Sequence, residues 1–126
     1  MYSKEVLKRF RHPKLEGEIR NADAKVTVGN GICTDRLQLY IKMKGNRIKD
    51  IKYLTYGCPA AVSSAELVCE LAKGKTLKIA SKITFTKVLK KLKLPQGKYH
   101  CCKMSITALK EVIKKYEKNI HNNNSI

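Results

Sequence analysis

The spacing of apolar residues changes period once along this chain, at Cys58, and that change limits what it can fold into. Before it, Leu37, Leu39, Ile41 and Met43 alternate with Arg36, Gln38, Tyr40 and Lys42. That is the two-residue period of a strand with one buried face. Gly45-Asn46 supplies a turn, Ile48 to Tyr56 reads as the returning strand, and Lys25-Val26-Thr27-Val28 as a shorter strand before both. After Cys58 the period becomes helical, through Ala61, Ala65, Val68 and Leu71, with Gly74 as the stop. A shorter helix is expected around Phe85, Val88, Leu89 and Leu92, closed by Pro95. A long last helix carries Met104, Ala108, Leu109, Val112, Ile113 and Tyr116 inward. At the start, Ser3 caps a short helix whose Val6, Leu7 and Phe10 share a face, ended by His12-Pro13. Strands first and helices afterwards predict an α+β fold: a three-stranded antiparallel sheet with helices packed on one face.

The chain length, 126 residues with 43% hydrophobic content, fits one domain able to bury its own core. We place that domain at 1–118 and expect 119–126 to be a disordered tail. The opening residues lack an apolar signal run, and no stretch approaches the roughly 18 apolar residues of a membrane span, so a cytoplasmic protein is expected. Five cysteines, an odd number, in a reducing compartment argue against disulfides. The net charge of +17 raises nucleic acid as a partner. Its composition argues against specific recognition, because 22 lysines stand against 5 arginines and the planar guanidinium is what reads bases and phosphates.

The chemistry lies in three thiols at element boundaries. Cys33 follows Gly29-Asn30-Gly31-Ile32, Cys58 sits between Tyr56-Gly57 and Pro59, and Cys101 follows Tyr99-His100. Asp35 is two residues from Cys33, so in an extended segment both side chains point the same way. A helix N-terminus favours the thiolate of Cys58 and of Cys101, and Lys98 is near enough in sequence to assist. Converging, these groups form a thiolate pocket with a carboxylate and an imidazole, His100, at its edge: an iron–sulfur or zinc site. Cys69 falls inside a helix as packing. Cys102, about 100° around the helix from Cys101, belongs to the core or is a spare thiol. No CxxC pair exists, so spacing alone leaves the metal open.

Cys33-Thr34-Asp35, Thr55-Tyr56-Gly57-Cys58 and Lys98-Tyr99-His100-Cys101, in this order, resemble the U-type iron–sulfur cluster scaffolds, the IscU and NifU N-terminal family. The opening Tyr2 to Glu16, Ser63-Ser64 before Leu67-Val68, and Lys73-Gly74-Lys75 are similar too, so the resemblance spans roughly residues 1 to 118. It implies a scaffold, not an enzyme, on which a [2Fe–2S] cluster is assembled from iron and from persulfide sulfur given by a cysteine desulfurase. The cluster then passes to apo iron–sulfur proteins. It implies Cys33, Asp35, Cys58 and Cys101 as cluster ligands, His100 at the metal, Cys101 as sulfur acceptor, and zinc as an occupant of the same pocket. A monomer or weak homo-oligomer is expected. Two positions depart from the family pattern. Thr34 stands where the family has glycine, and Leu94-Pro95-Gln96-Gly97-Lys98 replaces its chaperone-docking segment. The rival reading is a zinc-binding regulatory or structural module that modulates a cysteine desulfurase.

Overall fold

A computed structural model of the chain describes residues 2–29 and 36–124, with side chains through His121. The elements are α1 (Lys4–Arg11), β1 (Ala24–Gly29), β2 (Arg36–Lys44), β3 (Arg47–Tyr56), α2 (Pro59–Ala72), α3 (Leu77–Ala80), α4 (Phe85–Leu92), a 3₁₀ turn (Gln96–Lys98) and α5 (Tyr99–Asn124). The strands form one antiparallel sheet in the order β1-β2-β3, the expected meander.

Register explains the buried face. Val26, Leu39 and Tyr53 stand in one row across the sheet, and Ala24, Ile41 and Ile51 in the next. Cross-strand rows of this kind are the unit by which a sheet is stabilised. In β3 the inward residues run Ile48, Ile51, Tyr53, which breaks the two-residue period. A bulge resolves it: Met43 pairs with Ile48 but Lys42 pairs with Asp50, so Lys49 is the extra residue.

Against that face lies α2, and its sequence shows why it sits at the centre. Ala60, Ala61, Ser63, Ser64 and Ala65 are small enough for neighbouring elements to approach from several sides, and every residue from Ala60 to Cys69 is buried. The helix packs against β3, α1, α4 and α5. A helix hidden all round belongs to the core rather than to a surface layer. Next to it, α5 crosses β1 and β2 and buries Ala108, Leu109, Val112 and Ile113. Ser3 caps α1 by accepting from the Val6 N–H and also donates to the Leu92 carbonyl, fastening α1 to the end of α4.

Three expectations change. In α1 the inner position belongs to Arg9, while Phe10 is exposed; Arg9 is buried because its guanidinium pairs with Glu5 and, through two bonds, with Glu70. The segment after Gly74 holds an unexpected short helix, α3, capped by the Thr76 hydroxyl, which accepts from the Ile79 N–H. Finally, the last helix continues to Asn124, through residues placed in a disordered tail. Its apolar stripe does not end at Tyr116: Ile120 follows four residues later, and both line a hollow with Met43 and Leu77.

One polar cluster joins these layers. Glu66, on α2, is almost fully buried, and its Oε1 accepts from the Tyr53 hydroxyl at 2.9 Å and from the backbone N–H groups of Lys14 and Leu15. Burial, and then the charge of Glu66, push the Tyr53 phenol well above its ordinary pKa, so it stays a donor. Tyr53→Phe removes the side-chain donor and leaves a buried carboxylate short of one bond. Urea unfolding of that variant is expected to show a loss of about 1–3 kcal/mol; an unchanged midpoint would contradict this account of the cluster.

Candidate metal centre

Two helix N-termini meet at one corner of the molecule. Cys58 is the N-cap of α2, followed by Pro59 at the first helical position, where a missing N–H costs nothing. Cys101 is the third residue of α5. Their sulfurs are 3.9 Å apart. Two sulfurs bound at about 2.3 Å to one tetrahedral metal would lie about 3.8 Å apart. The pair is therefore already spaced as two ligands of a single metal ion.

The first turn of α5 is fixed from beside it. Tyr99 meets Phe85 of α4 edge to face, with ring centroids 6.0 Å apart. The Cys102 thiol is buried and donates to the Phe85 carbonyl at 3.7 Å. Burial pushes the Cys102 pKa up to about 12, and burial likewise raises Cys69 well above its usual value. Both are thus inert packing thiols, as the sequence indicated.

Cys58 behaves differently. Burial opposes its ionisation, yet the N–H groups of Ala61 and Ala60, the Cys101 thiol and the Lys98 ammonium together outweigh that cost. Its pKa lies below the ordinary thiol value. Lys98 is held in return: the charges of Cys58 and Tyr2 raise its pKa. The Lys98 ammonium acts on Cys58 most strongly and on Cys101 as well. Tyr2, which sequence reasoning passed over, also belongs here. Burial, followed by the charge of Cys58, raises its pKa. No local pattern marks Tyr2, because only the packing of α1 on α2 brings it there.

His100 occupies the second position of α5 and is half-buried, one residue before Cys101. Cys101 itself is fully buried, whereas Cys58 is only partly covered. Cys101 sits within the first turn of α5, a turn clamped to α4. Cys33, Asp35 and the departing Thr34 lie outside the described residues. Among the described residues, no group of three or more metal-binding side chains converges.

The thiols rank by reactivity in consequence. Among the described thiols, iodoacetamide should label Cys58 first, with Cys69 and Cys102 protected until the protein unfolds. Because the thiolate is the nucleophile, labelling of Cys58 falls as the pH drops through its depressed pKa. Lys98→Gln is expected to move that profile to higher pH. Peptide mass spectrometry across a pH series reads both effects, and an unmoved profile would remove Lys98 from the site.

Comparison with known proteins agrees with this architecture. Residues 1–123 match the family model of the NifU-like N terminal domain. An iron–sulfur cluster assembly scaffold protein, IscU 1, of Archaeoglobus fulgidus is 44% identical over 117 residues, spanning 92% of this chain and 76% of its own. The IscU scaffold protein of Haemophilus influenzae is 36% identical over 120 residues, spanning 92% of this chain and 95% of its own. A crystal structure from Fervidobacterium islandicum, assigned as an iron–sulfur cluster assembly scaffold for the SUF system, superposes with a TM-score of 0.77 at 19% identity. It covers 89% of this chain and 96% of that one. Matched by that family model over residues 1–123 and 44% identical to an IscU scaffold over 92% of its length, the chain belongs to the NifU-like N-terminal domain family.

Proposed function

We propose that this protein is a scaffold on which an iron–sulfur cluster, of the [2Fe–2S] type, is built and then passed to apo iron–sulfur proteins. The observation that carries the reading is the 3.9 Å approach of Cys58 and Cys101, with a Cys58 thiol already biased towards its thiolate. A soft thiolate pair suits iron and sulfide, and a depressed pKa lessens the competition of protons with metal. Zinc suits the same ligands. The curated relatives named as IscU scaffolds support the same function.

Cys33 completes the ligand set in this proposal, with Asp35 beside it and His100 as the alternative fourth ligand. Backbone pairing supports the assignment. Arg36 pairs with Tyr56, and Tyr56 is two residues before Cys58. Cys33 is three positions before Arg36 in sequence, a span of about 10 Å when extended, which makes it the candidate third ligand. Three thiolates supply the affinity, and a carboxylate or an imidazole in fourth place binds iron less well than a fourth thiolate would. The cluster is thereby held firmly enough to form and loosely enough to leave.

Sulfur arrives from a cysteine desulfurase as a persulfide. The acceptor thiolate attacks the outer sulfur, a new S–S bond forms, and the desulfurase thiolate departs. Cys101 is our acceptor, which requires the first turn of α5 to open, since the thiol is covered in the closed fold. Cys58 is the accessible alternative. The altered Leu94-Pro95-Gln96-Gly97-Lys98 segment leaves Pro95 and Gly97 exposed ahead of α5, but no longer carries the chaperone-docking sequence of the family.

Anaerobic reconstitution with iron and sulfide tests the reading. The wild type should develop visible charge-transfer absorption, and Cys33→Ser, Cys58→Ser and Cys101→Ser should each lose most of it. A colourless protein that binds zinc tightly and takes up no cluster would favour a zinc module that regulates a desulfurase. Asp35→Ala is expected to slow transfer to an apo-ferredoxin, and unchanged transfer would reject its role. Incubation with desulfurase and cysteine should add sulfur to the wild type but not to Cys101→Ser; persistence of the adduct moves the acceptor to another thiol, Cys33, Cys58 or Cys102, which peptide mass spectrometry identifies.

A further inference from the structure

Beyond the thiol corner, the C-terminal half of α2 borders a continuous groove. One hollow of about 470 Å³ is bounded by Leu67 and Leu71 of α2 and by Lys87, Lys90 and Lys91 of α4. A second, of about 290 Å³, adjoins it through the shared Leu71 and Lys87 and extends past Ile79 and Ile83 to Lys75 and Lys82. Its floor is apolar. Ile79 is 50% exposed on α3, a large aliphatic side chain left in water with Leu71 only half covered nearby. Its rim is cationic. Lys75, Lys82, Lys87 and Lys90 form no ion pair with a described residue, and only Lys91 has a carboxylate, Glu5, at 3.8 Å. Glu70 also lines the groove, but both its oxygens are bound to Arg9.

We infer that this groove docks an acidic amphipathic segment of a partner protein, with aliphatic side chains on the floor and carboxylates at the lysine rim. Charge complementarity identifies the occupant, because a run of unpaired ammonium groups around an apolar trough matches leucine-type residues flanked by glutamate or aspartate. A nucleic acid fits less well. Phosphates need the rim but leave the aliphatic floor unused, and the groove offers neither an arginine fork nor an aromatic platform for a base. Leu67 and Leu71 lie nine and thirteen residues beyond Cys58, about 14 and 20 Å along the helix axis. A partner bound in the groove therefore leaves the thiol corner open, so docking and cluster chemistry use separate surfaces.

The test is fluorescence anisotropy with a labelled peptide carrying a leucine stripe on one helical face and glutamates on the other. Lys87→Glu combined with Lys90→Glu should weaken binding about tenfold, as should Ile79→Ser, while Cys58→Ser binds like the wild type. These positions are exposed, and circular dichroism verifies that each variant is folded. Equal affinity for a glutamate peptide lacking leucines would overturn the inference, as would variants that bind unchanged. Single-stranded RNA that displaces the peptide from both the wild type and Ile79→Ser would assign the groove to nucleic acid and overturn it too. Cluster reconstitution on the lysine variants is expected to match the wild type, so failure here is separable from failure of the scaffold reading.

Discussion

A carboxylate enclosed by protein ties three distant parts of this chain together. Glu66 on α2 receives the Tyr53 hydroxyl from the sheet and two N–H groups from the loop after α1. A charge in so dry a place is stable only with its donors in position, which makes the arrangement demanding and therefore specific. It fixes how far α2 slides along β3 and where the loop crosses the sheet edge. The rest of the molecule is built outward from that fixed helix.

The thiol corner inherits its geometry from the same helix. Because α2 is hidden on all sides, its N-cap has no freedom to drift, and Cys58 is presented at a set distance from α5. On the other side, the Phe85–Tyr99 contact and the Cys102 bond to the Phe85 carbonyl hold the opening turn of α5. Two helix dipoles then converge on a single small volume and favour negative charge there. The lowered Cys58 pKa is thus a property of the packing as much as of any single neighbour.

Much of this was legible in sequence, for reasons that can be named. Strand alternation from Leu37 to Met43 and helical spacing after Cys58 are strong signals because each is enforced by a large buried face. The boundary positions of Cys58 and Cys101 followed from those periods, and their order along the chain carried the family resemblance. Properties set by contacts distant in sequence were hidden. Nothing near Arg9 announces that Glu70, on another helix, will bury it in place of Phe10. Lys98 is close in sequence to Cys101 yet acts most strongly on Cys58, and Tyr2 joins the site only through the docking of α1. The full burial of Cys101 was not legible at its element boundary either. Beyond Tyr116, Ile120 lines one hollow with Met43 and Leu77, residues that no local window contains.

The extra residue at Lys49 has an effect on what changes β3 tolerates. The strand runs in two phases, one up to Ile48 and one from Asp50 onwards, and only the bulge lets both present aliphatic side chains to the helices. Deleting Lys49 would leave Ile48, Ile51 and Tyr53 in strict alternation, so a regular ladder without the bulge would still present all three to the helices. Deleting Lys52 instead would put Tyr53 directly after Ile51 and turn outward the hydroxyl that Glu66 depends on. This hairpin can therefore lose its bulge residue, whereas the spacing from Ile51 to Tyr53 is fixed by the buried face.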